Sequence, residues 1–452
     1  MRSTMITNLS KVTVAVWLLG AGVPLLQGAL QGQPLNGAML LPLDSAQAEE
    51  RARVRRTPAM RQQIYQRFSR IRELADADKL AEAKSALESL GKQSMNSYEQ
   101  AMRWNLAAFL AYQEKDYAGA AKAYEELLNQ PDLPLSLELD TWYSLAKLNA
   151  VLENYGAAVK ALDKWFAISE KPGPDAYVLK AQMLFQQERY KDVLANLDKA
   201  LAIHKAEGTP GSENLYLLQR GAYYQFENYK GLKVALEALV SHYPKGDYLV
   251  QLAAVYGQLD MQQQQTAIKL AAYEKGYLDT ESSLVNLVQL LMSEGNTYKA
   301  ATILDKEIKA ESVKASERHL RLLGDAWYVA KEYKQALAAF TQAAETSDSG
   351  DMDLRIAQIH ADSGRWDKVI QSANRSIKKG NFDRLGAAHV IKGMALYNSK
   401  RLPEALNSFA SARRFDQTRK MAEQWHSYVQ NELKKEALLK TSSADLPVPS
   451  QG

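Results

Sequence analysis

The sequence predicts an all-α fold, an α-solenoid built from stacked helical hairpins. Apolar residues recur at three- and four-residue steps along most of the chain, as on one face of an amphipathic helix. Small residues recur roughly every 35 positions, where two helices would cross. The composition is rich in Ala, Leu, Gln, Lys and Glu, which favour helix, whereas Gly and Pro number only 24 and 13 of 452 residues.

The clearest hairpin is residues 320–345, LRLLGDAWYVAKEYKQALAAFTQAAE. We expect two helices there, roughly Arg318 to Ala330 and Lys334 to Glu345. Gly324 and Ala336 have almost no side chain, so the two helices can approach closely. The aromatic residues expected to fill the space around this crossing are Trp327, Tyr333 and Phe340. A lone hairpin buries too little surface to be stable, so copies should lie on either side.

Nine other segments carry the same pattern, a small or aliphatic marker residue in the second helix, usually after a turn aromatic and before a bulky residue. Successive markers are 33 to 39 residues apart. The markers are Ala83, Ala120, Ala158, Val193, Leu232, Ala267, Ala301, Ala336, Val369 and Ala405. The weakest copies are those at Ala83, Leu232 and Ala267. This series predicts ten hairpins in succession.

The pattern resembles the tetratricopeptide repeat family, W-x2-L-G-x2-Y, then A-x3-F, then P, with a period near 34 residues. The copy around Ala336 matches it nearly throughout, with Leu323, Gly324 and Trp327 in its first helix. The resemblance covers about residues 62–430, although the period is often longer and Ala replaces Gly in several first helices. It implies a right-handed superhelix in which the first helix of each repeat lines a concave groove.

In the resembled family, five positions of each first helix point into the groove and bind partners. Carried over to the better-registered copies, they are Asn105, Phe109, Tyr112, Gln113, Tyr143, Lys147, Gln182, Phe185, Arg321, Asp325, Tyr328, Met394, Tyr397 and Asn398. Aromatic rings there would offer contact area, and the amides and charges would pair with a peptide backbone. The alternative is that these aromatic residues pack between adjacent repeats.

Residues 1–48 have the composition of an export signal. Arg2 and Lys11 precede an apolar run, Val12 to Leu30, and the triplet Ala46-Gln47-Ala48 precedes Glu49 as at a signal peptidase site. We expect cleavage after Ala48 and a periplasmic protein. The alternative is an uncleaved inner-membrane anchor facing the periplasm, because about 19 apolar residues can span a bilayer.

The next segment is strongly basic, with eight arginines between Arg51 and Arg72. One interpretation is weak contact with anionic lipid head groups or an acidic partner. The interpretation we favour is the solvated face of a first helix that starts near Pro58. Its apolar side would be Met60, Ile64, Phe68 and Ile71.

The predicted layout divides the repeats where one copy, around residues 262–265, lacks the turn aromatic. The predicted segments are a signal peptide or anchor (1–48), a basic and partly disordered arm (49–60), N-terminal repeats (61–260), C-terminal repeats (261–437) and a disordered tail (438–452).

The composition argues against several classes of function. The net charge is +4 among 108 ionisable acidic and basic side chains, which gives no reason to expect nucleic acid. The six histidines are at least 29 residues apart, and no phosphate-binding loop or G-x-S-x-G motif is present. We expect the carboxylates to lie on exposed helix faces. The sequence therefore predicts no catalytic activity, metal, cofactor or small-molecule substrate.

The absence of cysteine excludes disulfides and the lipid-bearing N-terminal Cys of bacterial lipoproteins. The function predicted is an exported adaptor that binds envelope proteins. The layout also looks like the periplasmic repeat proteins associated with TonB, ExbB and ExbD energy-transduction systems, which implies an accessory role. The alternatives are a scaffold for secretion, polysaccharide export or pilus assembly, and a glycan-processing enzyme that would need two convergent carboxylates.

Overall fold

A computed structural model of the chain describes residues 59–444, with side chains to residue 438. This part of the chain forms 21 α-helices and no strand, which confirms the predicted all-α class. In chain order the helices are α1 (Gln62–Asp76), α2 (Leu80–Gly91), α3 (Ser97–Gln113), α4 (Tyr117–Leu128), α5 (Leu135–Val151), α6 (Tyr155–Ile168), α7 (Pro174–Gln186), α8 (Tyr190–Glu207), α9 (Glu213–Gln225), α10 (Tyr229–His242), α11 (Gly246–Gln258), α12 (Gln262–Glu274), α13 (Glu281–Ser293), α14 (Thr297–Lys309), α15 (Glu317–Val329), α16 (Tyr333–Thr346), α17 (Asp351–Asp362), α18 (Trp366–Lys379), α19 (Leu385–Asn398), α20 (Leu402–Ala412) and α21 (Arg419–Ala444).

The helices pair into ten hairpins, numbered here 1 (α1/α2) to 10 (α19/α20), and α21 packs on α20. The chain divides into two compact units, the first ending at Pro244 and the second beginning at Lys245. Among the described residues, the first unit holds hairpins 1–5 and the second holds hairpins 6–10 with α21. Within each unit the second helix of one hairpin packs on the first helix of the next, as in the predicted solenoid.

Every hairpin turns through one residue in the left-handed conformation. Eight of these residues are not glycine: Asp78, Lys115, Glu153, Glu188, Glu227, Asp260, Lys331 and Lys400, whereas Gly295 and Gly364 occupy the other two turns. The next residue donates its backbone N–H to a carbonyl five positions earlier, at 2.8–3.0 Å in all ten turns. This Schellman arrangement satisfies carbonyls at the end of the first helix and directs the chain into the second.

The turn fixes which residue is buried at the crossing. The residue five positions after the left-handed one is at most 6% exposed in nine hairpins: Ala83, Ala120, Ala158, Val193, Leu232, Ala300, Ala336, Val369 and Ala405. Eight of these are the predicted markers. In hairpin 7 the register is one residue off, because Ala300 and not Ala301 holds the marker position. In hairpin 6 the prediction is wrong: Ala267 is exposed and Gln265 holds the equivalent position.

The expected close approach at Gly324 involves the ring of Phe340 on the second helix. A Cβ atom added to Gly324 would lie 2.5 Å from the Phe340 ring, and one added to Gly393 would lie 2.6 Å from the Phe409 ring. Both rings are at most 1% exposed. These glycines therefore make room for a phenylalanine of the second helix, and Phe340 fills space at the crossing as predicted.

Three predicted boundaries differ from the structure. The predicted boundary between the two sets of repeats, at residues 260 and 261, lies inside the turn of hairpin 6, where the Met261 backbone N–H donates to the Tyr256 carbonyl. The boundary between the compact units lies before that hairpin, between Pro244 and Lys245. The first helix begins at Gln62 and not near Pro58. The tail is helical as far as Ala444, because residues 438–444 contain helix formers and no proline.

The export signal and most of the basic arm, residues 1–58, lie outside the described residues, as do residues 445–452. From residue 59 to residue 444, no helix is long and apolar enough to cross a bilayer. The described arginines of the basic segment are Arg61, directly before α1, and Arg67, Arg70 and Arg72 on this amphipathic helix. Its buried side is Ile64, Phe68 and Ile71, as the preferred interpretation predicts.

A buried carboxylate ties the start of α1 to the start of α3. The Glu99 side chain is fully buried and accepts hydrogen bonds from the Arg61 backbone N–H (2.8 Å), Arg61 Nε (3.0 Å) and Arg61 Nη2 (2.7 Å). The Asn96 backbone N–H donates to the same carboxylate at 3.1 Å. The hydrogen bond from the Arg61 side chain is the main cause that lowers the pKa of Glu99 from 4.5 to about 2.

The expectation that carboxylates lie on exposed faces is wrong at three residues, Glu99, Asp353 and Glu307, which are at most 9% exposed. Each is held by neighbours of its own chain. Asp353 is 2.8 Å from Arg375 and 3.1 Å from Lys379, and Glu307 accepts the Tyr273 hydroxyl hydrogen bond at 2.7 Å. Buried charge here serves the contacts between neighbouring helices.

Two alanine substitutions with opposite expected effects test the hairpin turn. Gly364→Ala should lower the free energy of unfolding by about 1 kcal/mol, because residue 364 has φ +64°. Gly156→Ala, within helix α6 and equally free of neighbours, should raise it by about 0.5 kcal/mol. Urea unfolding followed by circular dichroism measures both. A change of the same sign in the two variants would contradict the proposed role of the turn.

Removing the Glu99 charge should destabilise the first unit. We expect Glu99→Gln to cost about 3 kcal/mol at neutral pH, because it breaks a buried ion pair. Since the folded pKa is depressed, this stabilisation is complete above pH 4.5 and is lost as the pH falls towards about 2. The difference between wild type and variant in urea unfolding should therefore shrink over that range.

The matched control is Glu404→Gln, because Glu404 pairs with Arg401 on the surface. Glu404→Gln should change the free energy of unfolding little, both at neutral pH and near pH 2. A Glu99 effect that stays constant from pH 5 to about pH 2 would exclude the ion pair as its cause.

Candidate partner-binding surface

All fourteen predicted groove residues lie on first helices. Eight are on α3, α5 and α7 of the first unit, and six are on α15 and α19 of the second. The exposed ones are Tyr112, Gln113, Arg321 and Asn398. Asn105 is only 8% exposed, and the other nine are half-buried. The residues are thus placed as the register predicts, and their binding role stays a prediction.

In hairpin 2, the candidate residues divide between core and surface. Phe109 packs against the apolar core that includes Leu87, Leu90 and Leu110. Tyr112 is 36% exposed, and its ring centroid lies 5.5 Å from that of Tyr117 at the start of α4. Tyr112 therefore presents a positioned ring at the turn, whereas Phe109 contributes mainly to packing.

Tyr143 and Lys147 form a pair in hairpin 3. The Lys147 ammonium lies 4.7 Å from the Tyr143 ring centroid, a cation–π contact. Burial is the main cause that lowers the pKa of Lys147 and raises the pKa of Tyr143. The pair therefore offers a partly dehydrated cation beside an aromatic face, which suits contact with another protein.

Sequence reasoning missed an aromatic row that continues from Tyr143. Ring centroids are 5.4 Å apart for Tyr143 and Trp165, 5.2 Å for Trp165 and Phe166, and 4.7 Å for Phe166 and Tyr177. Trp165 and Phe166 lie near the end of α6, outside the five first-helix positions carried over from the family. Their adjacency in the sequence was the available signal.

Phe185 supports the packing alternative. A Cβ atom added to Gly221 on α9 would lie 2.9 Å from the Phe185 ring, so the ring of hairpin 4 lies directly against the next first helix. The ring centroid is also 5.2 Å from that of Tyr190. Phe185 therefore joins hairpins 4 and 5, and less of its surface is free for a partner.

The second unit carries an ionic arrangement on its first helices. Asp325 on α15 lies 3.8 Å from Arg321 on the same helix and 3.7 Å from Arg355 on α17. Arg384, before α19, pairs with Asp351 at the start of α17. Burial raises the pKa of Asp325, and the two nearby arginines oppose this shift. Sequence reasoning missed Arg355 and Asp351 because no residue of hairpin 9 was carried over from the family pattern, and it missed Arg384 because that residue precedes the first helix of hairpin 10.

Tyr328 bridges two hairpins of the second unit. Its hydroxyl donates to Asp362 at the end of α17 at 3.1 Å, and its ring lies 5.7 Å from that of Tyr333. Burial, then this hydrogen bond, raises the pKa of Tyr328. The ring is therefore held in a fixed orientation by contacts with its own hairpin and the next one.

The candidates on α19 are partly covered by α21. The Tyr397 ring lies 5.7 Å from Trp425 and 5.6 Å from Tyr428, and the Tyr397 and Tyr428 hydroxyls are 3.2 Å apart. That hydrogen bond is the main cause that raises the pKa of Tyr397 to about 12. Met394 packs against the same core. The packing alternative therefore applies to Met394 and Tyr397.

Chemical sites are sparse in the part of the chain that the structure describes. Within it, no group of three or more histidine, aspartate or glutamate side chains could hold a metal ion. An open surface cavity of about 680 Å³ lies at the turns of hairpins 6 and 7. It is lined by Asp260, Met261, Gln262, Gln263, Gln264, Ser293, Glu294 and Asn296. The lining consists mainly of polar amides and two carboxylates, Asp260 and Glu294, without a nucleophile next to a general base.

Comparison with known families gives one match. Residues 285–351 match the family described as tetratricopeptide repeat, TPR_16. The matched segment runs from α13 to the start of α17 and contains hairpin 8, the copy with the clearest resemblance in the sequence. This match supports the tetratricopeptide repeat superfamily. No curated protein matches the chain.

Solved helical-repeat structures are also similar. The MamA protein aligns at 16% identity and a TM-score of 0.33 over 39% of this chain and 92% of that one. A tetratricopeptide repeat protein from Parabacteroides merdae aligns at 12% identity and a TM-score of 0.33, over 55% and 94%. An APC/C hetero-tetramer, Cut9-Hcn1, aligns at 14% identity and a TM-score of 0.29, over 79% of this chain and 88% of that one. Similarity this low carries no partner over to this chain.

Two alanine substitutions distinguish a ring that packs between hairpins from a ring that is exposed to a partner. Phe185→Ala should lower the free energy of unfolding by about 2 kcal/mol, because a half-buried ring between two hairpins is lost. Tyr112→Ala should cost less than about 1 kcal/mol, since it loses one ring contact at an exposed position. Urea unfolding of the full chain measures both. Equal costs would mean that Tyr112 also serves mainly to join helices.

Proposed function

We propose that this chain is an exported helical-repeat adaptor that binds protein partners in the cell envelope through its first helices. The observation that carries the proposal is the series of aromatic, amide and charged side chains on those helices, several of them held in place by contacts within their own hairpin or with the next one. Large rings with fixed orientation lose little entropy on binding, and polar groups beside them can pair with a peptide backbone.

The proposal that the protein is periplasmic rests on the sequence of residues 1–48. Basic residues, an apolar run and an Ala-Gln-Ala triplet occur there in the order of a secretory signal. Envelope proteins are therefore the proposed partners, in particular components of a TonB-type system with ExbB and ExbD. A scaffold for secretion, polysaccharide export or pilus assembly is the second candidate, because it would use the same kind of surface.

An adaptor fits the described side chains better than a glycan-processing enzyme does. Glycoside hydrolysis needs two carboxyl groups that face a sugar inside a pocket. Asp260 and Glu294 line the same described cavity, which is open and lies at two hairpin turns. Thr266 also donates a hydrogen bond to Glu294 at 2.6 Å. Glu294 therefore serves a contact between α12 and the turn of hairpin 7.

Site-specific crosslinking in cells tests the proposal. A photoreactive amino acid replaces Tyr112 in the first unit or Tyr328 in the second, and the captured proteins are identified by mass spectrometry. We expect both positions to capture envelope proteins, because both lie on first helices at the candidate surface. Capture of TonB, ExbB or ExbD would support the preferred partners, and capture of export components would favour the second candidate.

The control positions are Lys160 on α6 and Lys334 on α16, exposed residues of second helices in the two units. They should capture neither set of proteins. Equal capture at the control positions, or capture of cytoplasmic proteins alone, would contradict the adaptor proposal. Protease treatment of intact spheroplasts tests export separately, since a periplasmic chain should be digested.

A further inference from the structure

Positive charge is concentrated near the end of the second unit. Residues 363–420 contain 13 lysines and arginines but only four aspartates and glutamates, whereas the whole chain has a net charge of +4. The preceding part of the unit, residues 245–362, has 12 basic and 17 acidic side chains. The net charge of the chain therefore conceals a strong asymmetry, which is typical of proteins that contact an anionic polymer or surface.

Neighbouring acidic residues do not cancel this positive charge. Over the wider range 345–440, which includes all acidic residues of α17 and those of α21 up to residue 440, there are 17 basic and 12 acidic side chains. Within the described residues, ion pairs involve six of the 13 cations. Six of the other seven are exposed: Arg365, Lys368, Lys378, Lys400, Arg414 and Lys420. These cations are available to a partner.

Helix α18 carries the most regular part of this charge. Four of its exposed residues follow at steps of three or four: Lys368, Gln371, Arg375 and Lys378. Residues at such steps line one face of a helix. At a rise of about 1.5 Å per residue, Lys368 and Lys378 are roughly 15 Å apart along the axis. The exposed residues of α18 include one carboxylate, Asp367, and no aromatic ring.

The positive charge continues at the end of hairpin 10. Arg414 closely follows the end of α20, just as Lys378 lies at the end of α18, so the two occupy equivalent ends of successive second helices. Lys420 lies at the start of α21, beside Met421, which is 52% exposed. We define the basic surface as Lys368, Arg375, Lys378, Arg414 and Lys420. It extends over two hairpins and the first turn of α21.

Two histidines of these hairpins respond to the same positive charge. Burial is the main cause that lowers the pKa of His360 and of His389, and nearby cations lower both further. The cations include Lys368 and Arg375 for His360, and Arg414 for His389. The neighbouring charges that act on each histidine are all positive. The electrostatic potential around both hairpins is therefore positive.

A plane of anionic head groups suits the basic surface better than a single anion does. Its cations are spread over a long face and over two hairpins, and basic residues near an anionic bilayer each contribute to attraction. A lysine ammonium attracts a lipid phosphate as a point charge, without a fixed geometry. An exposed apolar side chain such as Met421 can enter the head-group region. Surfaces that bind single-stranded nucleic acid usually also carry aromatic rings, which the exposed face of α18 lacks.

We propose that the basic surface of hairpins 9 and 10 docks on the anionic phospholipid head groups of a membrane. This inference goes beyond the adaptor proposal, because the basic surface lies mainly on second helices and its ligand is lipid. The first helices stay free for protein partners. The basic surface is also distinct from the arginine-rich segment at the start of the first unit.

Cosedimentation of the purified full chain with vesicles tests the inference. The vesicles consist of equal parts phosphatidylglycerol and phosphatidylcholine, in about 0.1 M salt, where charges act over about 10 Å. The triple variant Lys368→Gln/Lys378→Gln/Arg414→Gln should bind these vesicles at least about tenfold more weakly, because three cations near the lipid are lost. Lys368→Arg/Lys378→Arg should bind as wild type does, since the charge is kept. Unchanged binding of the glutamine variant would overturn the inference.

The matched control is the triple variant Lys160→Gln/Lys164→Gln/Lys191→Gln, which removes three exposed cations from second helices of the first unit. Its affinity should change less than about twofold, and a loss equal to that of the first triple variant would overturn the inference in favour of general charge attraction. A second control, Arg53→Gln/Arg55→Gln/Arg56→Gln, examines the basic arm. If only this variant lost binding, the arm would be the lipid contact and the inference would be overturned.

Single fluorescent labels report which face meets the lipid, because the chain has no cysteine of its own. Asn374→Cys places an environment-sensitive dye on the exposed side of α18, and Ala195→Cys places it on α8 of the first unit. Anionic vesicles should shift the emission of the dye at residue 374 to shorter wavelength and leave that at residue 195 unchanged. A shift at residue 195 alone would overturn the inference.

Two soluble polyanions, polyglutamate and a duplex oligonucleotide, distinguish other partners. If either bound through Lys368, Lys378 and Arg414 while the anionic vesicles did not bind, the inference would be overturned in favour of an acidic protein or a nucleic acid. Failure of the vesicle experiments, with crosslinks at Tyr112 and Tyr328 retained, would leave the adaptor proposal intact.

Discussion

Each hairpin depends on one constraint, the left-handed residue that ends its first helix. That residue reverses the chain within a short turn, so the second helix starts two positions later and its fourth residue meets the first helix. In nine hairpins this fourth residue is almost fully buried. The crossing, the core and the positions of the first-helix side chains all follow from this turn. Eight of the ten turns accept the strain without glycine, because tertiary packing outweighs a local cost of about 1 kcal/mol.

The fold could be predicted from the sequence because the repeat register depends on local features. Where the prediction of the repeat register failed, the local feature was misleading or missing. Tyr298 resembles the turn aromatic of hairpin 7 but is 59% exposed, and Gly295 was the better guide because it occupies the left-handed position. Hairpin 6 turns through Asp260, and nothing in the sequence distinguishes that aspartate from any other. The last part of α21, residues 438–444, was expected to be disordered because it has no apolar periodicity.

The candidate surface was predictable only in part. The sequence placed Tyr112, Tyr328 and Asp325 on the correct helices, since position within a repeat decides that. It could not decide which rings join hairpins, because the contact of Phe185 with Gly221 depends on how successive helices stack. The ionic group around Arg355 was missed for the same reason. Its members come from three hairpins, and a single repeat pattern does not bring them together.

The spacing of the turns explains how this chain keeps its stacking with repeats of unequal length. Successive left-handed residues are 33 to 39 positions apart, whereas the buried crossing residue lies five positions after the left-handed one in nine of the ten hairpins. Length variation is thus confined to helix ends and to the loops between hairpins. During evolution, an insertion at such a loop would leave the buried stripe of the following repeat facing inward. The chain can therefore drift in length while its interior stays in register.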